Sequence, residues 1–183
     1  FANYDTSFAT LGAGAEYVAT VFMLLAALPF VRFVQLTAGT AQPLLRDTQI
    51  HVFFLIAIAV VILISIPLVV RDGAFSELAV RKALFNSVSL MTGTGYASAD
   101  YMAWGTFPVA ALGCVGLSGG CAGATSCAIK VFRYQLLFAS VRTQLQKIRS
   151  PNGVFVPRFA GRPVAPDVLN SVMSFFVFII VKL

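Results

Sequence analysis

Residues 52–70 restrict this chain's fold more than any other feature, because within them only Ser65 and Pro67 depart from the aliphatic and aromatic set. A run of that kind matches the ~20 residues a helix needs to cross a bilayer. Its surroundings agree. The AVILMFWYC residues make up 58% of the 183-residue chain and charged residues only 11%, whereas a soluble domain carries about a quarter charged. A chain so poor in polar side chains cannot coat a water-facing surface, so a soluble helical domain is the weaker reading.

Further apolar segments extend the pattern. Residues 16–36 read as one spanning helix, kinked at Pro29, with Arg32 near its end able to snorkel to the interface. A short linker, residues 37–45, carries Gly39 and Pro43, and Asp47 is a predicted N-cap for the span that follows. Arg71-Asp72-Gly73 ends that span, and His51 at its start is read as an interface residue without a functional role. Tyr101 and Trp104 fit an aromatic belt ahead of a third span beginning near Phe107. Residues 116–126 interrupt it, and helix is predicted to resume near Ala128 and run past Lys147. Ser150-Pro151-Asn152-Gly153 reads as a turn, and Pro166-Asp167 opens a last span. The chain starts on Phe1 as if in mid-loop and stops in an apolar run, so it reads as a piece of a longer protein with Lys182-Leu183 as a candidate appended tail.

Charge orients these segments. The net charge is +6, but six of the thirteen basic residues (Arg133, Arg142, Lys147, Arg149, Arg158 and Arg162) gather in residues 133–162, and no acidic residue lies between Asp100 and Asp167. That is the pattern of a cytoplasmic loop under the positive-inside rule, and it lacks the aromatic interleaving of a nucleic-acid surface. With residues 133–163 and the linker bearing Arg46 inside, the loop at residues 92–96 faces outward. Cys114, Cys121 and Cys127 form no CxxC pair and read as packing residues, with no zinc or redox chemistry.

Residues 76–90 behave differently from the spans. Ser76 is a predicted N-cap, and the helix after it, bearing Glu77, Arg81 and Lys82, is half the length of a spanning one. A short helix between two spanning ones suggests a re-entrant element. Thr92, Gly93, Thr94, Gly95 and Tyr96 follow directly. Irregular backbone at membrane depth survives only where protein buries it or a wet pathway borders it. Glycine lets successive carbonyls face one axis, threonine adds hydroxyl oxygens, and the helix end before them carries partial negative charge. This suits a monovalent cation, although an extracellular Gly/Thr turn has the same composition. The second irregular stretch contains Gly116, Gly119, Gly120, Gly123, Thr125 and Lys130. Small residues there are equally a mark of close helix packing.

Span, short helix, Thr-Gly-Thr-Gly-Tyr, and a span broken at Gly-Gly-Cys-Ala-Gly-Ala-Thr before Ile129-Lys130 together resemble the TrkH/TrkG/KtrB family of potassium-uptake channels. The resemblance covers nearly the whole chain and is most specific over residues 119–130. It implies an all-α polytopic membrane protein of M1–P–M2 repeats. Residues 1–45 would close one repeat, 46–150 would form the complete third, and 151–183 would hold a cytoplasmic loop and the next M1 helix. Thr92, Gly93, Thr94 and Gly95 would line a quarter of a potassium filter, with Na+ the alternative ion, and Tyr96 would brace it. Gly116, Gly119, Gly120, Gly123, Thr125 and Lys130 would belong to an intramembrane gate loop, with Lys130 holding the closed position through a carboxylate or a carbonyl. Residues 124–127 read Ala-Thr-Ser-Cys where the family often has Ser-Thr-Ala-Gly-Gly, which implies a stiffer gate. The resemblance further implies an inner-membrane location, a homodimer, a TrkA/KtrA-like cytosolic nucleotide-binding ring as partner, and no covalent cofactor. An alternating-access transporter is the rival reading; it calls for ionisable residues within the spans, and few are present. A membrane enzyme subunit or anchor would need a reactive side chain at depth, and His51 alone does not supply one.

Overall fold

The computed structural model describes residues 7–72, 76–126, 128–150, 153, 155–159 and 162–182. Phe1, Gly73, Cys127, Pro151, Asn152 and Leu183, which the sequence reading singles out, lie outside these. The chain divides into two compact units, Phe1–Val131 and Phe132–Leu183.

In the first unit, α1 (Ala13–Ala26), α2 (Phe30–Thr37) and a single turn α3 (Gln42–Leu45) precede α4 (Thr48–Asp72), and α5 (Glu77–Thr92) and α6 (Thr106–Gly116) follow. Residues Thr48–Val70 of α4 are long and apolar enough to cross a membrane. Asp47 caps α4 as expected, its Oδ1 accepting from the Gln49 N–H at 2.9 Å. Phe53, Ala57, Val60, Ile64 and Leu68 of α4 form a buried stripe, while Leu55, Ile58, Ile62 and Ile66 on another face are 55–68% exposed. A helix apolar on both faces suits a lipid or protein surround, not water.

Helix α5 packs against α1, α4 and α6, and small residues let the neighbours close around it: Ala79, Ala83, Ser87 and Ser89 are all buried. Ser76 occupies the N-cap position in extended conformation, but its hydroxyl makes no capping bond. The helix runs to Thr92, two residues past the predicted end, because Gly93 in left-handed conformation (φ 73°) supplies the C-cap.

The expected single kinked span over residues 16–36 is corrected: α1 and α2 meet at 93°. Pro29 lacks an N–H and its ring obstructs the preceding turn, so Leu28 bonds back only to the Leu25 carbonyl at 3.1 Å. The carbonyls of Ala26 and Ala27 are taken by residues far along the chain, described below.

The third span is interrupted as predicted, but helix restarts at Val131 instead of Ala128. Ala128 has φ 67°, outside any right-handed helix. Residues 129–131 instead close the neck of the interruption: Gly119 N–H bonds the Ile129 carbonyl at 2.8 Å, Ile129 N–H bonds Leu117 at 3.0 Å, and Val131 N–H bonds Gly120 at 3.1 Å.

The second unit takes in α7 (Val131–Arg149) from Phe132 on, a two-residue antiparallel ladder of β1 (Arg158–Phe159) with β2 (Arg162–Pro163), and α8 (Pro166–Lys182). The Arg133 guanidinium lies 3.7 Å from the Phe175 ring centroid and Tyr134 meets Phe176 at 5.5 Å, which joins α7 to α8. Apart from the ladder, the described architecture is helical.

Candidate functional site

The candidate site residues fall in two irregular segments of the first unit. The first begins at the carbonyl end of α5. Gly93 and Gly95 both have positive φ, 73° and 80°, a conformation that L side chains rarely adopt. The Ser89 carbonyl accepts the Thr94 N–H at 2.9 Å and the Gly95 N–H at 3.4 Å, which folds the loop back over the helix end. Thr92 and Thr94 share a hydroxyl–hydroxyl bond of 2.8 Å. Gly93, Thr94 and Gly95 are exposed and Thr92 is buried. Tyr96 is half-buried, its ring 5.0 Å from Phe8, which itself lies 5.1 Å from Phe85. Phe8 N–H also bonds the Ala97 carbonyl at 3.0 Å, so the segment before α1 runs beside the outgoing limb of this loop.

Residues that spacing and composition do not pair hold this loop and the far end of α5. Asn86 is fully buried; its Nδ2 donates to the Lys82 carbonyl at 2.8 Å and to Ser98 Oγ at 3.0 Å, and its Oδ1 accepts the Ser98 N–H at 3.2 Å. Glu16 on α1 is buried as well and pairs with Arg81 on α5 at 3.0 Å. Arg81 further contacts Glu77 at 3.1 Å, and Glu77 accepts from the Tyr17 hydroxyl at 2.7 Å. A lone acid opening an apolar helix was the one available signal for the Glu16 pair.

The second segment, residues 117–130, is stitched into the break between α1 and α2. Cys121 N–H donates to the Ala27 carbonyl at 3.0 Å, Thr125 Oγ1 donates to the Ala26 carbonyl at 3.1 Å, and Phe30 N–H donates to the Gly123 carbonyl at 3.2 Å. Each interruption therefore satisfies polar groups that the other frees, as a low-dielectric surround demands. Gly123 has φ 79° and Gly116 is the last residue of α6. Gly120 donates to Ser126 Oγ at 2.8 Å. Lys130 Nζ donates to the Ala124 carbonyl at 3.0 Å and to the Ser126 carbonyl, so its partners are carbonyls, not a carboxylate. From α4, Gln49 Oε1 accepts the Ala122 N–H at 3.1 Å, and the adjacent Asp47 pairs with Arg32 of α2 at 2.8 Å. Cys121 is buried in the core and Cys114 is exposed.

Over residues 4–183 the chain matches a family profile described as "TrkH: Cation transport protein". The chain belongs to the TrkH family. Among similar TrkH-family proteins, the Trk system potassium uptake protein TrkI of Halomonas elongata is 38% identical over 183 residues, 97% of this chain and 36% of that protein. TrkG of Escherichia coli strain K12 is 31% identical over 88% of this chain and 33% of its own length. The fold is similar to the crystal structure of the potassium transporter TrkH from Vibrio parahaemolyticus, with a TM-score of 0.87 over 97% of this chain and 39% of that one, at 24% identity. The chain thus spans about a third of the curated TrkH-family relatives. Membrane location and the all-helical membrane fold follow from the family and the fold match.

Proposed function

We propose that the full-length protein carrying this chain takes up potassium through a pore, with Thr92, Gly93, Thr94 and Gly95 forming one part of the ion filter. The observation that carries this reading is the loop at the end of α5: two glycines at positive φ, two linked threonine hydroxyls, and a helix carbonyl end aimed at them. That arrangement supplies oxygens to replace a cation's hydration shell and a partial negative charge to favour it. The relatives named as potassium uptake proteins agree with it. Potassium, or sodium as the alternative, is the bound ion, and Tyr96 braces the loop through Phe8. The work is ion transport, with no bond chemistry.

In this reading residues 46–150 are a complete M1–P–M2 repeat, residues 1–45 close the preceding one and residues 151–183 lead into the next. The filter loop faces outward and residues 133–163 face the cytoplasm, towards a nucleotide-binding ring, in a homodimer. Residues 117–130 are the gate, held closed by Lys130 on the carbonyls of Ala124 and Ser126 and by the bonds to Ala26, Ala27 and Phe30.

Uptake of potassium and sodium by the full-length protein, in a strain lacking its own potassium uptake, tests the filter. An added Cβ at Gly95 meets nothing within 4 Å, so Gly95→Ser acts through its φ of 80°, at about 1–2 kcal/mol or roughly tenfold. Growth at low potassium is expected to fail, or sodium entry to rise by about that factor; an unchanged ratio would remove the loop from the filter. For the gate, Lys130→Met removes charged hydrogen bonds of about 1.5–3 kcal/mol. Flux per molecule in proteoliposomes is expected to rise several-fold, and an unaltered flux would mean that the lysine does not hold the closed state.

A further inference from the structure

We infer that Asn86 is the positioning residue for the ion filter, resting on the proposed assignment of residues 92–96 to that role. The loop leaves α5 at Thr92 and must return past it, and both limbs are tied back to the helix. The incoming limb is tied to the Ser89 carbonyl by the N–H groups of Thr94 and Gly95. The outgoing limb is tied by Asn86, which accepts from the Ser98 backbone and donates to the Ser98 hydroxyl. Residues 86 and 89 lie three apart, so the two ties leave α5 within one helical turn.

The Asn86 amide has no slack. One donor serves the Lys82 carbonyl of its own helix and one serves Ser98, while the carbonyl oxygen serves the Ser98 N–H. The bond to Lys82 fixes the side chain relative to α5, and the pair to Ser98 passes that placement to the loop. Asn86 and Ser98 are 0% and 2% exposed, so water cannot replace a lost partner. Among the described residues the buried hydroxyls of the neighbouring Ser87 and Ser89 meet no hydrogen-bond partner, so neither side chain ties Ser98. Between the two ties lie only Tyr96 and Ala97, so the placement of Ser98 bears on the Gly95 end of the loop and on how closely its carbonyls grasp a cation. A looser outgoing limb lets the oxygens contract around the smaller sodium ion.

Reversal potentials of the full-length protein in potassium and sodium gradients test this, because a permeability ratio does not depend on how much protein reaches the membrane. Asn86→Ala removes both ties to Ser98 and is expected to lower the potassium-to-sodium ratio by about tenfold. Ser98→Ala keeps the backbone tie and loses only the hydroxyl, so a drop of about two- to threefold is expected. It decides the matter if Asn86→Ala fails to assemble. A merely structural role would lower thermal stability or yield and leave the ratio where it was. With Gly95→Ser run alongside, the outcomes separate. A ratio moved by Gly95→Ser but by neither Asn86→Ala nor Ser98→Ala overturns the role of Asn86 alone. A ratio moved by none of the three overturns the filter assignment beneath it.

Discussion

Replacing Arg81 by Met is expected to destabilise the folded protein by about 3–5 kcal/mol, the usual consequence of leaving a buried charge without its partner. The orphan would be Glu16, whose side chain is 4% exposed and whose contact with Arg81 is the only ion pair tying α1 to α5 among the described residues. The reverse substitution is expected to be milder. Glu16→Gln leaves Arg81 beside Glu77 at 3.1 Å, and Glu77 is 64% exposed, so solvent already shares that charge. A loss of about 1–2 kcal/mol is expected there. Pairing Glu16→Met with Arg81→Met should recover much of the deficit, since an apolar pair of similar volume carries no desolvation penalty. Thermal unfolding of the purified full-length protein in detergent, followed by the fraction remaining monodisperse, checks the series. Equal and small losses for both single substitutions would show that solvent reaches the pair.

A methyl group at Gly120 is the other large perturbation expected. Its Cβ would sit 2.7 Å from the Ala27 carbonyl oxygen and 3.0 Å from the Ala27 Cβ, and closer still to Ser126 Oγ. Neither neighbour can give way cheaply: the Ala27 carbonyl holds Cys121, and Ser126 Oγ accepts from Gly120 itself. Overpacking of this kind costs about 1–3 kcal/mol, and relief requires the loop to withdraw from the α1–α2 break. Gly120→Ala is therefore expected to lower the unfolding temperature and to alter flux together. Gly113→Ala, within α6, is the control, with nothing within 4 Å of the added Cβ and no positive φ; it should behave as the unaltered protein does. If the two alanines behave alike, the loop is not seated in that break.

Much of this architecture was legible before any coordinates. The length and apolarity of residues 52–70, a shorter helix after Ser76, the Asp47 cap and the interruption of the third span are requirements of single segments. A bilayer imposes them through chain length and backbone satisfaction, so they are recorded in consecutive residues. The same holds for Gly93 and Gly95, whose positive φ needs glycine whatever lies nearby.

Pro29 marked a bend but not its size. The 93° turn depends on who takes the freed carbonyls, and those partners, Cys121 and Thr125, are almost a hundred residues away. Likewise Lys130 could be assigned a partner only by class, and carbonyls proved to be the ones in reach. Glu16 with Arg81 and Phe8 with Tyr96 left no trace in periodicity or spacing, because each pair joins separate segments. Local sequence determined which helix is long and apolar enough to cross a membrane, where helices are interrupted and where glycine permits a left-handed turn. Which helix lies beside which, and hence which buried polar groups meet, was decided only by the tertiary packing, since a pairing between distant residues exists only once the helices between them are in place.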